Sequence, residues 1–168
     1  MSTAHRSIAG IALAFALHGS LAPAIAQTTM QTVSTRPDWA VKVTPHPYPA
    51  LVQKLEDAVK ANKMGVVNAA SASEGAKAQG ITIPGNRVVG VFRNDFARRM
   101  LAASLPAGIE APVRFYVTEN ADGSGSLSYR LPSAVFAPYF AAEGGDLRAV
   151  AGELDIIFAK IAADAIAP

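Results

Sequence analysis

The chain has 168 residues, 15 Lys and Arg against 13 Asp and Glu for a formal charge of +2, 51% hydrophobic and 17% charged residues, and no cysteine. That is room for roughly one domain, too apolar and too sparsely charged for a disordered polyelectrolyte, and without the basic excess that nucleic-acid binding asks for. The missing thiols exclude disulfides, thiolate nucleophiles, cysteine-held zinc and iron-sulfur clusters together.

His5 and Arg6 form a short basic region, Ile8 to Leu17 is a nearly unbroken apolar run, and Ala24-Ile25-Ala26 is a small-x-small cleavage site before Gln27. This is the pattern of a secretory signal peptide cut after Ala26, and it predicts a periplasmic or secreted protein. The apolar run, at about ten residues, is half of what a bilayer span requires. An anchor that stays uncleaved is the alternative; after cleavage no membrane span is expected. Removing residues 1–26 leaves 142 residues, 14 basic against 13 acidic groups, and His46 as the one remaining histidine. Sites built on two or three histidines are thereby excluded within one mature subunit, and no metal or cofactor is expected. A chain of this length buries roughly 68% of its unfolded surface, so it can stand without covalent staples.

Gln27 to Asp38 is polar and aperiodic and reads as a flexible tether. Trp39, Val41 and Val43 then alternate with Ala40 and Lys42, predicting a first strand from Trp39 to Thr44 that the prolines 45, 47 and 49 terminate. From Pro49, Leu51, Val52, Leu55 and Val59 fall at helical spacing, giving a helix to about Lys63 with Gly65 as its C-cap. A strand over Val66 to Ala70 follows, then a short helix over Glu74 to Gln79 capped by Ser71 or Ser73 and ended by Gly80. Arg87 to Arg93 is the most strand-like run and is placed centrally.

Asn94 or Asp95 caps the next helix, which runs through Leu105 with Phe96, Met100 and Leu101 inward. The clearest hairpin comes after it: Val113, Phe115 and Val117 alternate with Arg114, Tyr116 and Thr118, the turn is Asn120 to Gly125, and Ser126 to Leu131 returns. Leu127, Tyr129 and Leu131 should share the face of Phe115, leaving Arg114, Tyr116, Ser128 and Arg130 on the opposite one. Ser133 caps a short helix through Phe140, and Asp146 caps the longest helix, in which Leu147, Val150, Leu154, Ile157, Phe158 and Ile161 form one stripe. This order predicts a single α+β domain over residues 39–166, with a small, mostly antiparallel sheet packed by helices.

Several stretches in this order resemble the domain of unknown function 302 family: the opening strand and helix from Trp39 to Lys63, Gly75-Ala76-Lys77-Ala78-Gln79-Gly80, Arg87 to Asn94, Ala111-Pro112-Val113-Arg114-Phe115-Tyr116-Val117, Asp122-Gly123 and Ser128-Tyr129. The resemblance spans about residues 40–140 and implies helices on a curved antiparallel sheet and a homodimer; the family has no established activity. Many members carry an Asp-His pair where this chain has Asn68-Ala69-Ala70-Ser71, so no ligand or metal role resting on that pair carries over. A Gly-Asn-Pro-like turn of the family reads Phe92-Arg93-Asn94-Asp95 here.

Catalytic constellations are sparse. A serine hydrolase would have to use His46 as its base, and no Gly-x-Ser-x-Gly occurs. His46, between two prolines, reads as an exposed loop side chain, and Gly123-Ser124-Gly125-Ser126 as a plain turn. Glu56/Asp57 and Glu153/Asp155 are too close in sequence to share a helix face and read as solvated. No catalytic residue is assigned. One basic and aromatic cluster stands out as a ligand site: Arg93 and Asn94 where a strand meets a helix N-terminus, with Arg114, Tyr116 and Arg130 on the outer hairpin face. Together they could hold a small anionic ligand; the alternative is ion pairing with Glu110, Glu119 or Glu143 plus a subunit contact. The leading reading is an exported, non-catalytic dimeric binding or accessory module. The second is a small enzyme using the same cluster on an anionic substrate. A convergent, unpaired pocket separates them from a structural network.

Overall fold

The computed structural model describes residues 33–141 and 146–168. The expected signal peptide, most of the expected tether and Glu143 lie outside them. Five strands form one antiparallel sheet: β1 (Trp39–Pro47), β2 (Gly65–Ala70), β3 (Asn86–Phe92), β4 (Val113–Glu119) and β5 (Ser124–Arg130), in the order β1-β5-β4-β3-β2. The helices are α1 (Tyr48–Ala61), α2 (Ala72–Lys77), α3 (Asn94–Ala103), α4 (Pro132–Phe136) and α5 (Asp146–Ile166). They pack on the sheet as a single α+β domain, with α1 against the strands and α5 against α1, α3 and α4.

The hairpin falls in the register expected from its alternation. Phe115 pairs with Tyr129 and Val117 with Leu127, all buried on the helix side. There Phe115 stacks on Phe158 of α5 with centroids 4.5 Å apart and meets Tyr129 edge-on at 5.1 Å. Leu147, Val150, Leu154, Phe158 and Ile161 of α5 are buried as one stripe, and Ile157 packs at its margin. Gly125 lets α1 approach, since a Cβ there would stand 2.6 Å from the Leu51 Cδ2.

Several boundaries differ from expectation for physical reasons. β1 continues through Pro45 to Pro47 instead of stopping at Thr44, because it is an edge strand and a missing N–H costs nothing on the unpaired side. Its register on β5 shifts between Val43 and Pro47, where the buried Thr44 hydroxyl donates to the Gly125 carbonyl at 3.1 Å. His46 is therefore no loop side chain: its Nε2–H donates to the Ala167 carbonyl at 2.9 Å and faces that of Ile166 at 3.3 Å, satisfying the open C-terminal end of α5.

Helix α1 ends at Ala61, and Lys63, with φ +57°, takes the left-handed position expected of Gly65. The Met64 N–H reaches the Val59 carbonyl and the Lys63 N–H that of Lys60, the paired bonds of a Schellman ending. Ser71 caps α2 by accepting from the Glu74 N–H. Neither Asn94 nor Asp95 caps α3; Arg93 occupies the extended cap position without a side-chain capping bond, the helix stops at Ala103, and Leu101 is 42% exposed while Ala103 is buried. Ser133 does not cap α4 either. Pro132 starts that helix, and the Ser133 N–H donates to the Asp155 carboxylate of α5 at 2.9 Å. Of the four carboxylates read as solvated, Asp57 is exposed, while Glu56 pairs with Arg87, Glu153 with Arg99, and Asp155 accepts from α4. Asp146 is the first residue of α5 and also accepts from Arg99, tying α5 to α3.

β2 carries a bulge. Val66 pairs with Val91 and Asn68 with Gly90, so Val67 is an extra residue without a partner. A strand alternates faces with period two, and the inserted residue resets that alternation. Val66 stays against the core, while Asn68 and Ala70 turn to the other side.

Candidate functional site

The side of the sheet away from the core is defined by register. Trp39 pairs with Arg130, Gly90 with Arg114 and Asn68 with Gly90. Antiparallel neighbours project to the same face, and the hairpin register carries Arg114 opposite Arg130, one step beyond Phe115 and Tyr129. One row across the sheet is thus Asn68, Gly90, Arg114, Arg130 and Trp39. The adjacent row is Ala70, Val88, Tyr116, Ser128 and Val41.

Arg114, Arg130 and Trp39 of the first row and Ala70, Val88, Tyr116 and Ser128 of the second line a cleft of about 760 Å³. Trp39 stands at its β1 edge, Ala70, Ser71 and Ala72 at its β2 edge, and Val135 of α4 and Glu110 close one end. Glycine is required at position 90, because a Cβ there would overlap the Asn68 carboxamide and come 2.9 Å from the Pro112 ring. Ser128 is buried within the floor, its hydroxyl turned to the Tyr116 carbonyl at 3.4 Å.

The charges on this face are not neutralised by one another. Among the described residues neither Arg114 nor Arg130 has a carboxylate within ion-pair distance; the Arg130 guanidinium donates to the Ala134 carbonyl at 3.3 Å. Glu110, the carboxylate lining the cleft, accepts instead from the Tyr139 hydroxyl at 3.0 Å, and that bond holds the Tyr139 phenol above its ordinary pKa. Glu119 bonds the Gly85 N–H at 2.6 Å, on the loop before β3. Like charges on directly opposed strand positions repel, so an anion between the two guanidinium groups would relieve a cost built into the sheet.

Of the five residues singled out by sequence, Arg114, Tyr116 and Arg130 line this one cleft, and Arg93 and Asn94 do not. Arg93 follows Val89 and Val91 on the core side of β3 and lies against α3. Its guanidinium donates to both Asp95 oxygens, at 2.7 and 3.1 Å, and sits 4.2 Å from the Phe96 ring centroid. The hydrogen bonds from Arg93 hold the Asp95 carboxyl below its ordinary pKa. Asn94 is exposed in the first turn of α3. The hollow beneath Arg93 measures about 30 Å³, the scale of a single water.

Residues that sequence reasoning did not assign to the site include Trp39, the Ala70 to Ala72 stretch, Asn86, Val88 and Glu110. Trp39 carried a signal, since it alternates with Ala40, whose pairing with Tyr129 fixes the core side. The Ala70 to Ala72 stretch carried none, because the bulge that turns it is not visible in the residue pattern.

Two cations opposed on a rigid sheet suit a carboxylate or phosphate, which guanidinium groups hold bidentately. Among the described residues lining the cleft, Glu110 is the one carboxylate and none is a histidine. Among the described residues, no three His, Asp or Glu side chains stand together as a set of metal ligands. No helix among them is long and apolar enough to cross a membrane.

No curated protein matches the chain. Among solved structures it is similar to the crystal structure of an uncharacterized conserved protein DUF302 from Bacillus stearothermophilus, with a TM-score of 0.64 and 17% identity over 77% of this chain and 96% of that one. At that identity the likeness speaks for the fold. The family model described as Domain of unknown function DUF302 matches residues 39–164, from the first residue of β1 nearly to the end of α5. The chain therefore belongs to the DUF302 family.

Proposed function

We propose that this protein is an exported, non-catalytic accessory domain that holds a small anionic ligand in the cleft on the open face of its sheet. One observation carries the binding reading. Arg114 and Arg130 oppose each other across β4 and β5 at the rim of a cleft of about 760 Å³, unneutralised by any carboxylate among the described residues. Export rests on the basic, apolar and small-x-small order of residues 5–26. Working as a homodimer rests on the family resemblance. The competing reading, a small enzyme acting on an anionic substrate, finds no acid and base pair among the residues lining the cleft.

Native mass spectrometry of protein taken gently from its own cells tests the binding and pairing readings together. The expected spectrum shows a retained mass that is absent from a variant carrying Arg114→Gln and Arg130→Gln, on a dimeric species. Ligand-free protein that also fails to respond to any added carboxylate or phosphate would refute binding. N-terminal sequencing of the exported protein should begin at Gln27; an intact Met1 recovered outside the cytoplasm would refute processing.

A further inference from the structure

We infer that the ligand is amphipathic: a monoanionic organic acid whose charged head lies between Arg114 and Arg130 and whose apolar body runs along the neighbouring row toward β2 and α2. This rests on the anion-binding reading and adds the chemistry of the rest of the molecule. The two ends of the cleft differ. At the arginine row the partners are cationic, with the Trp39 ring beside Arg130 and the Arg36 guanidinium 5.8 Å from that ring's centroid. One row further the cleft presents the Ala70 methyl, the Val88 side chain and the Tyr116 ring.

Apart from the Tyr116 hydroxyl, the polar side chains at the far end are already occupied. Asn86 accepts from the Ala72 N–H at 2.9 Å and donates to the Pro84 carbonyl at 3.0 Å. Ser71 accepts from the Glu74 N–H at 3.1 Å and shares a hydrogen bond with Ser73 at 2.9 Å, while Ser128 faces the Tyr116 carbonyl. A ligand body with several hydroxyls would find few open partners there, and unpaired polar groups in such a site are costly. An apolar body loses nothing. The size agrees: Gly90 and Asn86 are four residues apart on β3, roughly 13 Å of strand, and the cleft's volume of about 760 Å³ falls in the range that holds organic ligands rather than bare inorganic anions.

The chain has a single tryptophan, and it lines the cleft, so its emission reports occupancy directly. The probes are acetate, inorganic phosphate, glycerol phosphate and decanoate, the last kept below its micelle concentration, with decanol as the uncharged control. Decanoate should shift Trp39 emission saturably and bind at least about tenfold more tightly than acetate, with decanol weaker than decanoate. Arg114→Gln should weaken decanoate and acetate alike, by about tenfold. Val88→Thr, which keeps the shape but places a hydroxyl on the floor, should weaken decanoate several-fold and leave acetate unchanged.

If acetate, phosphate or glycerol phosphate binds as tightly as decanoate, the amphipathic ligand is refuted while the anion site stands. If no anion moves the emission, both readings fall. If the emission instead depends on protein concentration, changes with Arg114→Gln and ignores every acid, a second copy of the chain occupies this face and the inference is overturned.

Discussion

Arg114→Gln should make the folded protein more stable, the reverse of what removing a structural arginine does. Arg114 is exposed and faces Arg130 across adjacent strands, with no carboxylate in ion-pair range among the described residues. Two unit charges ~6 Å apart in water repel by about 0.7 kcal/mol. At 0.01 M ionic strength nearly all of that survives, and near 1 M, where the Debye length falls to about 3 Å, very little does. The variant should therefore gain about 0.5 kcal/mol at low salt, or roughly 2 °C in Tm for a domain of this size, and gain almost nothing at high salt. Thermal unfolding of both proteins at the two salt concentrations measures this. Arg130→Gln should gain less, because it also gives up the hydrogen bond to the Ala134 carbonyl. A loss of 1 kcal/mol or more in Arg114→Gln, independent of salt, would show that the guanidinium is held by the protein itself and would refute the reasoning from unpaired, opposed charges.

Other expectations follow from the same structure. Phe158 is 1% exposed and touches both Phe115 and Tyr129, so Phe158→Ala should cost about 3–5 kcal/mol in urea unfolding; less than 2 kcal/mol would mean the sheet and α5 collapse onto each other more readily than their aromatic packing indicates. Hydrogen bonds from Arg99 hold the Glu153 carboxyl below its ordinary pKa, and hydrogen bonds from Lys160 and then Asn62 do the same for Asp164. A depressed folded pKa stabilises above the unfolded value and is lost as pH falls through the folded one. Stability should therefore decline from about pH 4.5 downward, and Arg99→Met should make that decline shallower; an unchanged acid limb in urea titrations would contradict it. Ser71→Ala removes the cap of α2 and should cost about 1 kcal/mol, seen first as faster amide exchange at Glu74 with the amides of α5 unaffected.

How much could be read before the structure depended on what each residue pattern answers to. The hairpin and α5 were legible because both face one continuous core: Val113, Phe115 and Val117 at period two, and Leu147 to Ile161 at helical period, leave little freedom of register. Alternation also fixes the side on which Arg93 lies. With Val89 and Val91 inward, Arg93 follows them to the core side of β3 and cannot join Arg114 and Arg130. Trp39, Val41 and Val43 look like a core face from their chemistry, but helices cover the opposite side of the sheet, and Val43 is 68% exposed. Which face receives helices is decided by packing that no single strand encodes. The prolines after Thr44 misled for a related reason: they forbid a central strand, and whether β1 is central or marginal depends on the order of all five.

The unpaired Val67 separates two obligations within six residues of β2. Val66 answers to the core, and Ala70 answers to the cleft. Substitutions beyond the bulge reach the cleft wall without passing through the core, so the chemistry of that wall can change at little cost to foldability. A single inserted residue thereby uncouples what lines the cleft from what holds the scaffold together.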